Sequence, residues 1–232
     1  MQNTYSKSGL VLDISGQKLQ ETGRDIARDK SRHMNHGMCV NETNIIQTKE
    51  GTSAFSFNGV SDYVYCGPDA RLNPTDAVTV ETWIKLDIAA EGETSYIPII
   101  RRNSAYLLRR DEESSGGCLS FFIHDGTSWE PRANSNFRPT FGVWHHVVGT
   151  YDRQHVKIYV NGKLKGSNAK TGAMPLNENN TIMGFWINMH FYGLIDELRI
   201  YNRALSLKEI RGNMFTSKRY KYMRGVQKCG VR

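Results

Sequence analysis

The chain has 232 residues, of which 39% are hydrophobic, 10% aromatic and 23% charged, with a formal net charge of +7. That apolar share suffices for a sizeable core and excludes wholesale disorder, and the length suits one large β sandwich. No run approaches the roughly 18 apolar residues of a membrane span, and Met1 to Lys7 carries no apolar core of the kind that marks a secretory signal.

In chain order, residues 1–9 read as an N-terminal arm and the strand-like segments begin near residue 10. Turn residues cluster at Asn73-Pro74, Ser115-Gly116-Gly117, Asp125-Gly126 and Asn177 to Asn180. That spacing is expected of many strands joined by loops. From Trp144 to Tyr151 and from Val156 to Val160 two runs lead into Asn161-Gly162, the strongest short-range hairpin signal. A last strand ends near Asn202. Ser206 and Glu209 then have the spacing of a capping box, and Gly212 suits the stop of a short helix.

Residues 212–232 read as a basic tail holding Lys218, Arg219, Lys221, Arg224, Lys228 and Arg232, with no acid after Glu209. The tail reads either as an arm that lies on an acidic partner surface or as a solvated segment that keeps the protein soluble. Tyr220, Tyr222, Met223 and Val226 interleave with the charges, which suits docking on protein, and no recognised nucleic-acid motif accompanies them. The tail is expected to add nothing to the core beyond Asn213.

Five ordered elements resemble one family. Asp29-Lys30-Ser31 with Asn35-His36-Gly37, Phe55-Ser56-Phe57-Asn58-Gly59-Val60-Ser61-Asp62-Tyr63-Val64, Val78 to Lys85, Trp144-His145-His146-Val147, and Ile195-Asp196-Glu197-Leu198-Arg199-Ile200-Tyr201-Asn202 are similar to the laminin-G-like jelly rolls of the concanavalin-A-like lectin/glucanase superfamily. The resemblance implies an all-β jelly-roll sandwich of two antiparallel sheets over residues 10–211, followed by a short C-terminal helix and the basic tail.

It also implies chemistry to test. In this superfamily calcium often bridges the last strand to an early turn, which here points to Asp196, Gly59, Asp62 and Asn58. Asn58 and Ser61 stand where the family usually has Asp, which removes two formal charges from an ion that takes roughly six to eight oxygens. The catalytic relatives are retaining glucanases with a Glu-x-Asp-x-x-Glu strand that sets its carboxyls about 5 Å apart. No such pattern occurs, and Asp196 and Glu197, as strand neighbours, are expected on opposite faces. His145 and His146 alternate in the same way, one inward and one at the surface. The chain is therefore expected to be non-catalytic. Cys39, Cys66, Cys118 and Cys229 form no Cys-x-x-Cys pair, which argues against zinc and for free thiols.

Two binding regions stand out. Trp129, Tyr106, Asp125 and Arg109 combine aromatic rings with polar groups that suit a sugar, and Trp186, Ile187 and Met189 form an apolar loop suited to an interface, together with Arg219, Lys221 and Arg224 of the tail. The expected function is a lectin-like structural subunit on a phage or virus particle, a capsid decoration or tail-associated protein that binds other subunits or itself and contacts host glycans. It would be made in the host cytoplasm without a leader. The alternative is a free-standing extracellular carbohydrate-binding lectin; a glycoside hydrolase ranks last.

Overall fold

Leu119, Phe121 and Ile123 are fully buried on one face of a strand while Ser120 and Phe122 take the other, and this period of two recurs along the chain. The computed structural model describes residues 5–21, 24–88 and 95–229, with their side chains except at 17–21, 24–25 and 224–229. The first strands are β1 (Leu10–Glu21), β2 (Arg24–Asp29), β3 (Gly37–Val40), β4 (Asn44–Gln47), β5 (Ser53–Asn58), β6 (Tyr63–Tyr65) and β7 (Val78–Leu86). Then come β8 (Ile97–Arg102), β9 (Tyr106–Arg110), β10 (Leu119–Ile123), β11 (Ala133–Asn134), β12 (His145–Tyr151), β13 (His155–Val160) and β14 (Lys163–Ala169). The last are β15 (Thr181–Met183), β16 (Phe185–Trp186), β17 (Met189–His190) and β18 (Tyr192–Tyr201), followed by α1 (Leu207–Thr216) and α2 (Lys218–Cys229).

The expected pair of separate sheets is corrected in one respect. A single hydrogen-bonded path runs β11-β10-β9-β8-β15-β6-β3-β2-β1-β18-β7-β12-β13-β14, with β5 joined to β18 and β4 to β5. The long β1 strand pairs with both β2 and β18 and so carries the ladder from one layer into the other. The two ends of this path still face each other. A Cβ on Gly149 of β12 would collide with the Phe121 ring of β10, and Gly166 of β14 lies against the Asn134 carbonyl of β11. Between them lies one core that includes Ile14, Phe55, Ile84, Leu108, Phe121, Val147, Ile158 and Ile195.

The helices cover the outer face of β18, β7 and β12. Ser206 and Glu209 form the expected capping box, but Gly212 does not stop α1: the helix runs on to Thr216, and the expected domain boundary at 212 falls inside it. Burial of Ile210, Asn213 and Met214 anchors this last turn. The tail is not core-free either, since Met214, Ser217 and Arg219 are all buried. This cover explains why His146 is buried as well as His145, where one of the pair was expected at the surface. His146 faces the helices and bonds Glu81 at 2.8 Å, and Glu81 in turn accepts from Asn213 of α1 at 2.7 Å. His145 accepts the Thr140 N–H and lies edge-on to Phe137, and its burial pushes its pKa down. The N-terminal arm is tied to the same helix, with the Ser6 amide bonding Asn213 and Tyr5 stacked under Arg199.

Candidate functional site

Alternation on β8, β9 and β10 sends one set of side chains away from the core, and there Arg109, Phe122 and Arg101 meet the β16–β17 hairpin. Arg109 pairs with Ser120 across the ladder, and Phe122 with Leu107. The Arg109 guanidinium lies 3.9 Å from the Tyr96 ring centre, 4.5 Å from Phe122 and 5.3 Å from Trp186. Its Nε is held at 2.8 Å by Asp111, which is wholly buried and also accepts from Ser120 at 2.6 Å. Arg132 reaches the other Asp111 oxygen at 3.4 Å and lies 5.3 Å over Phe122. Beyond Trp186 the ribbon continues through Phe185, which stacks on Tyr63 and His190, with Arg101 at 5.9 Å.

On this shelf Tyr96, Arg109, Arg132 and Trp186 are partly exposed while Phe122 is buried, and its polar groups are mostly donors. Guanidinium planes between aromatic faces are pre-organised, and Asp111 fixes two of them from below, so little rotamer entropy remains to be lost on binding. Rings of this kind can stack on the apolar face of a sugar while Arg edges donate to its oxygens. The hairpin tip adds an exposed contact. Ile187 and Asn188 have φ of +46° and +60°, the two-residue turn that normally takes Asn or Gly, so a β-branched Ile there is strained. Ile187 is 63% exposed.

The four residues expected to hold a glycan do not converge. Tyr106 faces the core and donates to the Leu72 carbonyl at 2.9 Å. Asp125 organises its own turn, accepting from Thr127, Ser128 and Lys170. Burial raises its pKa, but these hydrogen bonds outweigh it and hold the carboxyl below the usual range. Trp129 packs edge-on to His124 near that turn. Arg109 alone belongs to the shelf, which it shares with Trp186, a residue the sequence assigned to a different site. Tyr96, Phe122 and Arg132 were missed. Phe122 was legible as the outward aromatic of an alternating strand; Arg132 and Tyr96 lie in loops, where periodicity has no hold.

The metal set also separates. In the β5–β18 register Tyr192 pairs Asn58 and Ile195 pairs Phe55, so Asp196 lies about 13 Å along the strand from the Asn58 turn. Asn58 spends its side-chain oxygen on the Val60, Ser61 and Asp62 amides, and Asp62 accepts the Asn58 and Glu42 amides. Gly59 donates its N–H to Phe191 O within this turn. Asp196 accepts from Gly16 N–H and from Arg219 at 2.7 Å. An internal guanidinium therefore occupies the carboxylate that a cation would need, and these residues do not fit a calcium ion as one site. Among the described residues no cluster of three or more His, Cys, Asp or Glu side chains is placed to hold a metal.

A bulge explains why Asp196 and Glu197 act together. The ladder shifts between Asp196 and Arg199, and Glu197 has φ +51°. Alternation fails there, and both carboxylates reach the α1–α2 junction: Glu197 accepts from Ser217 at 2.7 Å and Asp196 from Arg219. Arg219, expected on a free basic arm, is thus 0% exposed, with its guanidinium 3.5 Å over Trp144. Lys221 is exposed, Met189 is half-buried in the hairpin opposite Trp186, and the Arg224 side chain lies outside those described.

Comparison with known proteins agrees with this architecture. A family model described as the concanavalin A-like lectin/glucanases superfamily matches residues 58–211. Human pappalysin-1 is 24% identical over 186 residues, 70% of this chain but only 11% of its own length. Domain 4 of AbnA, a GH43 extracellular arabinanase of Geobacillus stearothermophilus solved with arabinotriose, superposes with TM-score 0.68 at 20% identity, covering 89% of this chain and 98% of the domain. The botulinum neurotoxin serotype D binding domain gives 0.66 at 16% identity, covering 90% of this chain and 52% of that one. At such identities the structural likenesses speak for the fold alone. With the model spanning most of the sandwich, the chain belongs to the laminin-G-like family of the concanavalin A-like lectin/glucanases superfamily.

Proposed function

We propose that this protein is a non-catalytic, lectin-like module that binds glycans across the arginine–aromatic shelf of β8, β9, β10 and the β16–β17 hairpin. The observation that carries the reading is the clamp on Arg109: three rings around one guanidinium, fixed from beneath by buried Asp111. Similar folds solved with arabinotriose and, in a botulinum neurotoxin D domain, with N-acetylneuraminic acid support the class of ligand. The non-catalytic part is supported by the state of the buried acids. Asp111, Asp196 and Glu81 are each bound to Arg or His, which leaves them poor candidates for an acid and nucleophile facing one bond.

Attachment to a virus particle is the second reading, favoured by exposed, strained Ile187 at the hairpin tip. Buried Arg219 withdraws one support from it, since the basic arm is in part an internal strap. A glycan array followed by titration of the best ligand tests the first reading. Arg109→Ala and Trp186→Ala should each weaken binding by tenfold or more, about 1.4 kcal/mol or above. Glycan binding that ignores both substitutions would remove the shelf from the proposal, and no binding on the array would end it.

A further inference from the structure

A second cleft, of about 520 Å³, opens on the opposite layer where the helix pair meets β7 and β12. Its volume falls within the range of small-molecule sites. The floor is made by Trp83 and Trp144, 1% and 5% exposed, and the walls by Met214 and Phe215 of α1 and Tyr220 and Met223 of α2.

The chemistry of the lining is one-sided. Among the described residues no Asp or Glu lines the cleft, and Lys163 and Arg211 stand at its rim. The side-chain oxygen of Asn161 already accepts the His146 amide, while among the described residues Arg211 spends only its Nε, on the Gly162 carbonyl. The cleft therefore offers apolar and aromatic surface together with positive charge, and among the described residues no carboxylate lines it.

We infer that this cleft binds a small amphipathic anion, an acyl or aromatic body ending in a carboxylate or similar oxyanion. The body lies against Phe215, Tyr220 and Met223 above the tryptophan floor, and the charged end meets Lys163 and Arg211. The site is separate from the glycan shelf and does not depend on it.

Calorimetric titration of the full chain with sodium decanoate, below its micellar concentration, tests the inference, with decanol as the neutral analogue. Saturable one-to-one binding of decanoate is expected. Lys163→Ala combined with Arg211→Ala should weaken it about tenfold while leaving decanol unchanged. Val143→Trp, at an exposed rim position, should abolish binding of both without changing the melting temperature. No saturable decanoate binding, or decanoate binding indifferent to Val143→Trp, overturns the site. Decanol binding as tightly as decanoate overturns the anionic assignment.

Discussion

Arg219→Ala is the sharpest test of how the C-terminal helices belong to the fold. The substitution leaves Asp196 buried with the Gly16 amide but without its guanidinium, removes a 2.7 Å ion pair, and uncovers the face of Trp144. Breaking a buried pair by deleting one partner costs about 3–5 kcal/mol. For a domain of this size each kcal/mol is about 2–4 °C, so the melting temperature should fall by about 6–20 °C. The pH dependence identifies the cause. Burial already raises the Asp196 pKa, against the opposing pull of Arg219. With Arg219 gone the folded pKa rises further, so the folded variant takes up a proton more readily than the unfolded chain. Its deficit against the wild type should then be largest near neutral pH and shrink as pH falls toward the ordinary carboxylate range near about pH 4. Asp196→Asn in the same chain should recover much of the loss, because the stranded charge is gone. Thermal and denaturant melts across pH check this. A deficit below about 1 kcal/mol, or one that does not move with pH, would show that Arg219 is a passive surface residue and that this reasoning is wrong.

Because Arg219 fills the place of a cation at Asp196, chelator and added calcium should leave the wild-type melting temperature unchanged, as read by scanning calorimetry; a chelator-induced drop would refute this. Ile187→Asn should relieve the positive-φ strain and stabilise the protein by about 1 kcal/mol while weakening ligand or partner binding at the hairpin, measured by paired melts and titrations. Glu209 is held down to about 2 by Arg203. Its stabilising share should be complete above its unfolded value near about 4.3 and fade as pH drops toward 2, so Glu209→Gln and wild type should converge in that window. Gly149→Ala should cost about 1–3 kcal/mol, since the Phe121 ring leaves no room for a Cβ; an unchanged denaturation midpoint would contradict the facing of β10 on β12.

The fold was legible because strand periodicity is local. The Val156 to Val160 run alternates up to Asn161-Gly162, which marks its own hairpin with φ of +51° and +70°. What escaped the sequence was non-local or broke the period. The bulge at Glu197 turns two neighbouring acids to one side, and no alternation rule anticipates that. The basic residues after Gly212 look like a solvated arm because charge normally marks surface, yet Arg219 meets an Asp 23 positions earlier and becomes core.

The sites failed for a related reason. Arg109 and Trp186 are 77 positions apart, and each was noticed for its own chemistry, but only the β8–β9 ladder and the β16–β17 hairpin place them 5.3 Å from one another. Trp129 and Asp125 are close in sequence to Phe122 and still fall away from it, because the chain leaves β10 at His124 and spends Asp125 on a turn. Short sequence spacing thus overstated one cluster and hid another. The same logic applies to the second cleft: Trp83, Trp144 and Met214 come from three distant segments, and the floor they share exists only after α1 and α2 have folded back over β7 and β12.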